Sequence, residues 1–187
     1  MATLKHYGEL PESIELSDGT TMTLVCSSLN QSYAEEPILN FRFGYAKVNQ
    51  NSLFNYYRAF VPEHVFFAIP DISGNIMISE TDYLKMRKKF DAYQEKQRKL
   101  QLCAELNNKG KELEADGKLD KAIEVYELNI SGDCYPARHS FDRLLVLYRK
   151  SKNYKDEQRV CKKAIKVLKE AKYNERLEKI NNLIAKL

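Results

Sequence analysis

The most constraining feature of this chain is an internal sequence repeat at a spacing of 35 residues. The segment 117–130, Gly-Lys-Leu-Asp-Lys-Ala-Ile-Glu-Val-Tyr-Glu-Leu-Asn-Ile, recurs in modified form at 152–165. In both copies apolar residues follow one another at three- and four-residue steps, which places them on one face of a helix. A helical unit this short cannot bury its apolar face alone, so neighbouring units must supply each other's core. The sequence therefore predicts stacked helical hairpins.

Another apolar stripe precedes each copy, so the predicted unit is a helix, a tight turn and a second helix. The preceding stripes are Leu106, Gly110 and Leu113 in the first unit, and Phe141, Leu144, Leu145 and Tyr148 in the second. Gly117 is expected in the first turn because glycine tolerates positive φ. The segment 151–153 serves the second turn less well. Pro136 suits the first turn of the next helix, where a missing amide hydrogen costs nothing.

These positions resemble a tetratricopeptide repeat over about residues 103 to 170. That family carries a small residue in the first helix, Gly before the second helix, and then Ala and aromatic residues at fixed offsets. The first copy matches at Leu106, Gly110, Leu113, Gly117, Leu119, Ala122 and Tyr126, and departs at Lys109, Asn129 and the late Pro136. The second copy matches at Phe141, Leu144, Tyr148, Tyr154 and Ala164, but has Leu145 at the small position and Glu157 at the usual Ala.

The resemblance also implies where a partner would bind. In this family a concave face, formed by outward positions of each first helix, holds a peptide or helix of another protein. Carried over by offset, those positions are Asn107, Lys111, Asp142, Arg143 and Val146. Asn107 and Lys111 resemble part of a clamp for a peptide carboxylate, but two donors are too few, and Asp142 adds a negative charge. The predicted function is a non-enzymatic interaction module, an adaptor or scaffold.

Two repeats are fewer than the roughly three expected of a stable array, so other segments must cover the ends. Near the C-terminus, Leu177, Ile180, Ile184 and Leu187 form one apolar stripe, which predicts a closing helix. A dimer seam is the alternative for this stripe. Upstream, the segment 79–82, Ser-Glu-Thr-Asp, resembles a capping box that opens a helix. No Gly or Pro follows until Gly110, so this helix is expected to run for about 35 residues, with a short dimeric coiled coil as the alternative.

Residues 1–79 differ in composition and contain 11 of the 20 aromatic residues and four of the five prolines. A hairpin is predicted from 14–16 and 21–25, with a turn at Asp18 and Gly19. Further strands are predicted at 41–45, with Gly44 at a bulge, and in a second hairpin formed by 64–69 and 75–78. The segment 52–60 is expected to form a short helix. The predicted fold class is α+β: a small mixed domain over 1–79, then an all-α array of helical hairpins with a capping helix over 80–187.

Charge divides the chain at the same boundary. Residues 1–79 carry a net charge of −4 and residues 80–187 a net charge of +8, which together give the +4 of the whole chain. The basic residues gather at 85–89, at 96–99 and between 162 and 172. A basic helical array is compatible with nucleic acid or with an acidic protein. A nucleic-acid-associated adaptor is therefore the first alternative function.

The sequence offers little support for catalysis, cofactor binding or a metal site. Its four cysteines, at 26, 103, 134 and 161, include no CxxC pair, and His6, His64 and His139 lack metal-ligand spacing. Free thiols in a reducing compartment are the simplest interpretation. A small enzyme with an unrecognised site in residues 1–79 is the second alternative. No apolar run approaches the length of a membrane span, so we expect a cytoplasmic protein without a membrane partner, either monomeric or homodimeric.

Overall fold

The computed structural model describes residues 13–23, 35–131 and 136–186, and it contains two compact units. Residues 35–97 form the mixed unit, and residues 13–23 together with 98–186 form the helical unit. Composition predicts a division at residue 79, and the units in the structure divide elsewhere. Residues 13–23 belong to the helical unit because Leu16 is 3% exposed and lies in the core of the helices. Predictions for Leu24, Val25, Cys26, Cys134, His6 and Leu187 concern residues outside those described.

The mixed unit consists of a two-stranded sheet and helices that pack on one of its faces. Its elements are β3 (Tyr45–Asn49), α1 (Gln50–Tyr57), a 3-10 turn (Arg58–Phe60), α2 (Glu63–Phe66), β4 (Asn75–Ser79) and the first part of α3 (Glu80–Ala115). The strands are antiparallel, with Lys47 opposite Met77. Alternate residues point inward, and Ala46, Val48, Ile76 and Ile78 are buried against Leu53, Tyr57 and Met86.

Two strand predictions in this region are wrong. The segment 41–45 does not form a strand, because Phe43 and Gly44 both have positive φ and make a tight turn between Arg42 and Tyr45. The segment 64–69 begins in α2, so β4 pairs with β3 instead. The predicted helix at 52–60 is confirmed, because α1 and the 3-10 turn cover 50–60.

The long helix α3 runs for 36 residues, as the absence of Gly and Pro predicts. Its start is fixed by Ser79, whose Oγ accepts a hydrogen bond from the backbone N–H of Asp82 at 3.1 Å and donates to the Asp82 carboxylate at 2.7 Å. Ser79 therefore satisfies a backbone donor that the first helical turn would leave free. Residues 80–97 of this helix belong to the mixed unit and residues 98–115 to the helical unit.

The helical unit continues with four further helices. These are α4 (Leu119–Ser131), α5 (Arg138–Lys150), α6 (Tyr154–Leu168) and α7 (Ala171–Ile184). Their facing stripes form one core, which includes Leu106, Tyr126, Phe141, Leu144, Val160 and Ala164. Gly110 is required where α3 meets α4, because a Cβ there would lie 2.2 Å from the Tyr126 ring. The architecture is α+β, and its helical part is compatible with a helical repeat.

The two turns between paired helices have the same geometry 35 residues apart. Gly117 has φ +73° and donates its N–H to the Glu114 carbonyl, while Lys118 donates to the Leu113 carbonyl. In the second turn Lys152 has φ +55° and donates to the Arg149 carbonyl, and Asn153 donates to the Tyr148 carbonyl. The helices α3 and α5 therefore each end in a turn with one left-handed residue. The N–H groups of that turn donate to the terminal carbonyls of the helix.

Two further segments cover the core of the helical unit. The strands β1 (Ser13–Glu15) and β2 (Thr21–Thr23) pair as predicted around Gly19, and Lys121 on α4 forms an ion pair with Asp18 at 2.8 Å. At the other end α7 packs on α6, where Tyr173 and Ile180 are buried and Leu177 and Ile184 join the same cluster. The prediction of a closing helix is therefore confirmed. None of the helices among the described residues is long and apolar enough to cross a membrane.

Candidate functional site

A groove of about 440 Å³ lies between α5 and α7 in the helical unit. Both helices occupy the place of a first helix, because α5 opens the second hairpin and α7 follows it. The groove is lined by Asp142, Leu145, Arg149, Lys172, Tyr173, Glu175, Arg176 and Lys179. Four of these side chains are cationic and two are anionic, so the lining carries an excess of positive charge. It contains neither histidine nor cysteine.

A carboxylate on α6, Glu157, orients two of the groove's cations. Glu157 is 0% exposed, and its Oε2 accepts a hydrogen bond from Arg149 Nε at 2.7 Å. Its Oε1 accepts from Arg176 Nε at 3.0 Å and from Arg176 Nη2 at 2.7 Å. Hydrogen bonding to Glu157 raises the pKa of Arg149. Since a carboxylate is buried only when it is paired, this site holds both guanidinium groups in fixed positions.

The Arg176 guanidinium also connects α7 to the backbone of α5. Its Nη2 donates to the Leu145 carbonyl at 2.6 Å, in addition to its bonds with Glu157. Arg176 and Arg149 both remain about one third exposed, at 30% and 36% of their side-chain surface. The remaining N–H groups therefore face the groove with part of their surface in contact with water.

The rim of the groove is organised around Asp142. Its Oδ1 accepts hydrogen bonds from the Tyr173 hydroxyl at 2.9 Å and from Lys172 Nζ at 3.1 Å. The Lys172 ammonium also lies 4.7 Å from the centroid of the Tyr173 ring, in a cation–π contact. Burial, together with the hydrogen bond to Asp142, raises the pKa of Tyr173 to about 12. Tyr173 therefore stays a neutral donor whose ring forms part of the groove wall.

Of the five residues predicted to bind a partner, only Asp142 lines this groove. Arg143, on the other side of α5, is joined to Glu114 of α3 by a bidentate ion pair. That pair lowers the pKa of Glu114 and raises the pKa of Arg143. Val146 is half-buried, and Lys111 is exposed on α3.

Asn107 is engaged in a polar network inside the helical unit. Its Oδ1 accepts hydrogen bonds from Ser140 Oγ at 2.7 Å and from Asn129 Nδ2 at 3.1 Å. Asn129, which stands where the tetratricopeptide pattern has Ala, is 1% exposed and also donates to the Cys103 carbonyl at 3.1 Å. Asn107 therefore connects α3 to α4 and α5, and most of its hydrogen-bonding capacity is used within the protein.

The residues that α7 contributes to the groove are missing from the sequence-based prediction. That prediction ends the repeats at the second copy and gives α7 the role of a closing helix or, alternatively, of a dimer seam. A signal was nevertheless present, because a further step of 35 residues from Gly110 and Leu145 reaches Ile180, which is fully buried. Continuing the period indicates that α7 stands where another first helix would stand. Its outward residues then belong to the same face as those of α5.

A wider depression of about 760 Å³ lies beside α4 and α6, next to the β1–β2 hairpin. Its charged residues are largely paired with each other: Arg159 contacts Glu127 at 2.6 Å and Asp156 at 2.9 Å. It lies on the second helices of the hairpins, away from the face that the resemblance implies. We therefore take the groove between α5 and α7 as the candidate site.

The histidines and cysteines that the structure describes do not form a chemical site. His64 is exposed and contacts Asp82 at 3.0 Å, while His139 packs edge-on against Tyr126. Cys103 and Cys161 are buried free thiols, and burial raises the pKa of each. Within the described residues no group of three or more His, Cys, Asp or Glu side chains is placed to hold a metal ion. Comparisons of the chain with protein-family models, curated proteins and solved structures gave no match.

Proposed function

We propose that the helical unit is a tetratricopeptide-like interaction module that holds a peptide or helix of another protein in the groove between α5 and α7. The observation that carries this proposal is the groove itself, which lies between two successive first helices. The resemblance implies that a partner binds to the first helices, and Asp142 is the one implied position that lines this groove. Its volume is within the range of small-ligand sites and suits a few side chains of a bound segment.

The chemistry of the lining favours an acidic segment. Leu145 and Tyr173 are almost fully buried beneath the groove, while Arg149 and Arg176 offer donors that Glu157 has already oriented. Because their positions are fixed before binding, little side-chain entropy is lost when a carboxylate is bound. Lys179 is exposed and has no ion-pair partner among the residues the structure describes, so its charge is available to a ligand.

A binding role without catalysis also agrees with the groups present in the groove. A general acid or base that works near neutral pH is most often histidine, and a nucleophile is often serine or cysteine. The lining residues are instead arginine, lysine, aspartate, glutamate, tyrosine and leucine. The two arginines are held by a buried carboxylate and the tyrosine by Asp142, an arrangement suited to recognition.

The experiment that tests this proposal selects ligands from a displayed library of random peptides and measures their affinity by titration. Selected peptides should be acidic. Lys179→Glu should lower their affinity about tenfold or more, because it removes an attraction and adds a repulsion. The matched control is Lys166→Glu, because Lys166 is exposed on α6 and does not line the groove. It changes the net charge equally and should leave peptide affinity nearly unchanged.

Equal weakening by both variants would contradict the groove and indicate binding through general positive charge. Binding of single-stranded RNA by the wild-type protein, with a steep salt dependence and sensitivity to Lys166→Glu, would favour the nucleic-acid-associated adaptor instead. If no peptide is selected and neither variant changes any interaction, the proposed function fails.

A further inference from the structure

The mixed unit contains a loop whose apolar side chains point into water. We call residues 66–72 the apolar loop, with the sequence Phe-Phe-Ala-Ile-Pro-Asp-Ile. Phe67 is 71% exposed, Ile69 93% and Ile72 108%, and Phe66 is exposed to 47%. Single exposed apolar residues are ordinary, but four within seven residues form a surface that usually serves an interaction.

Polar contacts hold this loop in one conformation. Gln50 Nε2 donates to the Ala68 carbonyl at 3.1 Å, and Asp71 Oδ1 accepts from the backbone N–H groups of Ser73 and Asn75, each at 2.9 Å. Lys47 also forms an ion pair with Asp71 at 2.6 Å. These contacts fix the backbone of the loop while its large apolar side chains remain exposed. The apolar side chains are therefore presented for contact at a small entropic cost.

The degree of exposure indicates what kind of surface these side chains meet. Ile69 and Ile72 are about as exposed as in an extended chain, so they project from the protein. A second copy of the chain is a poor occupant, because a two-fold interface must be self-complementary and two projecting surfaces do not bury each other. A lipid surface adapts to projecting side chains and covers all of them together.

Basic side chains close to the loop supply the matching charge. The loop begins at the last residue of α2, and His64 in that helix contacts Asp82 on the first turn of α3 at 3.0 Å. Asp82 therefore marks where α3 lies next to α2. Lys85 follows one helical turn after Asp82, and Lys88 and Lys89 follow one turn later on the same helix. All three are exposed, and Lys88 and Lys89 have no ion-pair partner in the part of the chain that the structure describes.

We propose that the apolar loop and Lys85, Lys88 and Lys89 form a docking surface for a lipid bilayer that carries anionic head groups. The isoleucine and phenylalanine side chains enter the interface between head groups and acyl chains, and the ammonium groups contact the head groups. Such docking needs two contributions, because neither a few apolar side chains nor a small basic cluster gives stable attachment alone. The protein then lies on the membrane without spanning it. This inference does not depend on the groove of the helical unit.

The test measures sedimentation of the full chain with vesicles of phosphatidylcholine mixed with phosphatidylserine, and with vesicles of phosphatidylcholine alone. The wild-type protein should bind the mixed vesicles much more tightly. The double variant Ile69→Ser with Ile72→Ser should lower that partition coefficient at least about tenfold, because two apolar side chains no longer leave water. The double variant Lys88→Gln with Lys89→Gln should lower it about thirtyfold on mixed vesicles and have little effect on phosphatidylcholine alone.

Val167→Ser is the matched control, because Val167 is a 41% exposed apolar residue on α6. It should bind vesicles like the wild type, and the melting temperature of every variant should match that of the wild type, since the changed residues are exposed. The proposal is overturned if wild-type protein does not bind the mixed vesicles. It is overturned equally if the isoleucine variant binds like the wild type, because binding would then be electrostatic only. Loss of a defined protein ligand by the isoleucine variant, without vesicle binding by the wild type, would assign the loop to a protein cleft instead.

Discussion

Glu157 stands at a position where the tetratricopeptide pattern has Ala, and its surroundings account for a carboxylate at a buried site. Two guanidinium groups, from Arg149 on α5 and Arg176 on α7, surround it with three hydrogen bonds. The residue therefore joins three helices through one charged group. A buried ion pair is weak evidence for stability by itself, since desolvation offsets much of the attraction. Its clearer role is to fix where the two arginines lie in the groove.

We expect Glu157→Gln to lower the free energy of unfolding by about 2–3 kcal/mol. Removing one partner of a buried pair typically costs about 3–5 kcal/mol, and the partly exposed arginines reduce that figure because water solvates them. Urea unfolding followed by circular dichroism measures the change. Glu178→Gln, at an exposed position on α7, is the control and should change stability by less than about 0.5 kcal/mol. A loss as small as that of the control would show that Glu157 does not hold the arginines in solution.

At the scale of elements, the two helical hairpins use one turn geometry with two different residues. Gly117 and Lys152 both have φ in the left-handed region, at +73° and +55°. A residue with a Cβ pays a conformational penalty there that glycine does not. The second hairpin thus carries a local strain that the first hairpin avoids.

Substitutions at these two turn positions should therefore change the free energy of unfolding in opposite directions. We expect Lys152→Gly to raise the free energy of unfolding by about 0.5–1 kcal/mol, after allowing for the greater freedom of glycine in the unfolded chain. Gly117→Ala should lower it by about 1–2 kcal/mol through backbone strain alone, since no atom lies within 4 Å of the added Cβ. Denaturant midpoints measured on both variants check this pair. A stabilising Gly117→Ala would contradict the assigned turn.

The helices were predictable because their apolar period is long and their boundaries have clear chemical markers. The capping residue Ser79, the turn at Gly117 and the stripe of α7 all lie where the sequence places them. The strands were less predictable, because a segment of a few residues contains too few alternations to fix its partner. Phe43 shows this well: its flanking apolar residues suggest a strand, but its positive φ makes a tight turn.

The candidate site was predictable only in part for a related physical reason. Offsets within a repeat identify outward positions, but not which of them become engaged by neighbouring side chains. Asn107 and Arg143 both point outward by offset, yet Ser140 and Glu114 bind them. Position along a helix specifies direction, whereas the partners depend on residues far away in the sequence.

At the scale of the whole molecule, the two proposed surfaces belong to different units and use different residues. The groove uses α5 and α7 of the helical unit, and the docking surface uses residues 66–72 and 85–89 of the mixed unit. Their variants therefore separate the two proposals. A chain with both would hold a partner's segment at a membrane surface, where effective concentration favours weak binding.

Global stability should also depend on pH through His139, because its pKa differs between the folded and unfolded chain. Burial, together with the positive charges of Lys111 and Arg143, lowers the folded-state pKa of His139 below its ordinary value of 6.5. The unfolded chain therefore binds a proton at a higher pH than the folded chain does, and stability rises with pH across this window. The contribution is complete above about pH 7 and is lost as the pH falls through 6.5 toward the lower folded-state pKa.

We expect the free energy of unfolding of the wild-type protein to fall between about pH 7 and about pH 5.5, with a slope below about 1.4 kcal/mol per pH unit, the limit for one proton. His139→Phe retains an aromatic ring beside Tyr126 and removes the titrating group, so its stability should be nearly constant over that range. Below about pH 4.5 both proteins should lose stability because of Glu114. The hydrogen bond from Arg143 lowers its folded-state pKa, so Glu114 is protonated at a higher pH in the unfolded chain than in the folded chain. Urea unfolding at a series of pH values measures both slopes. Parallel curves for the two proteins above pH 5.5 would show that the proton responsible is bound elsewhere, whereas a flat curve for His139→Phe assigns it to this histidine.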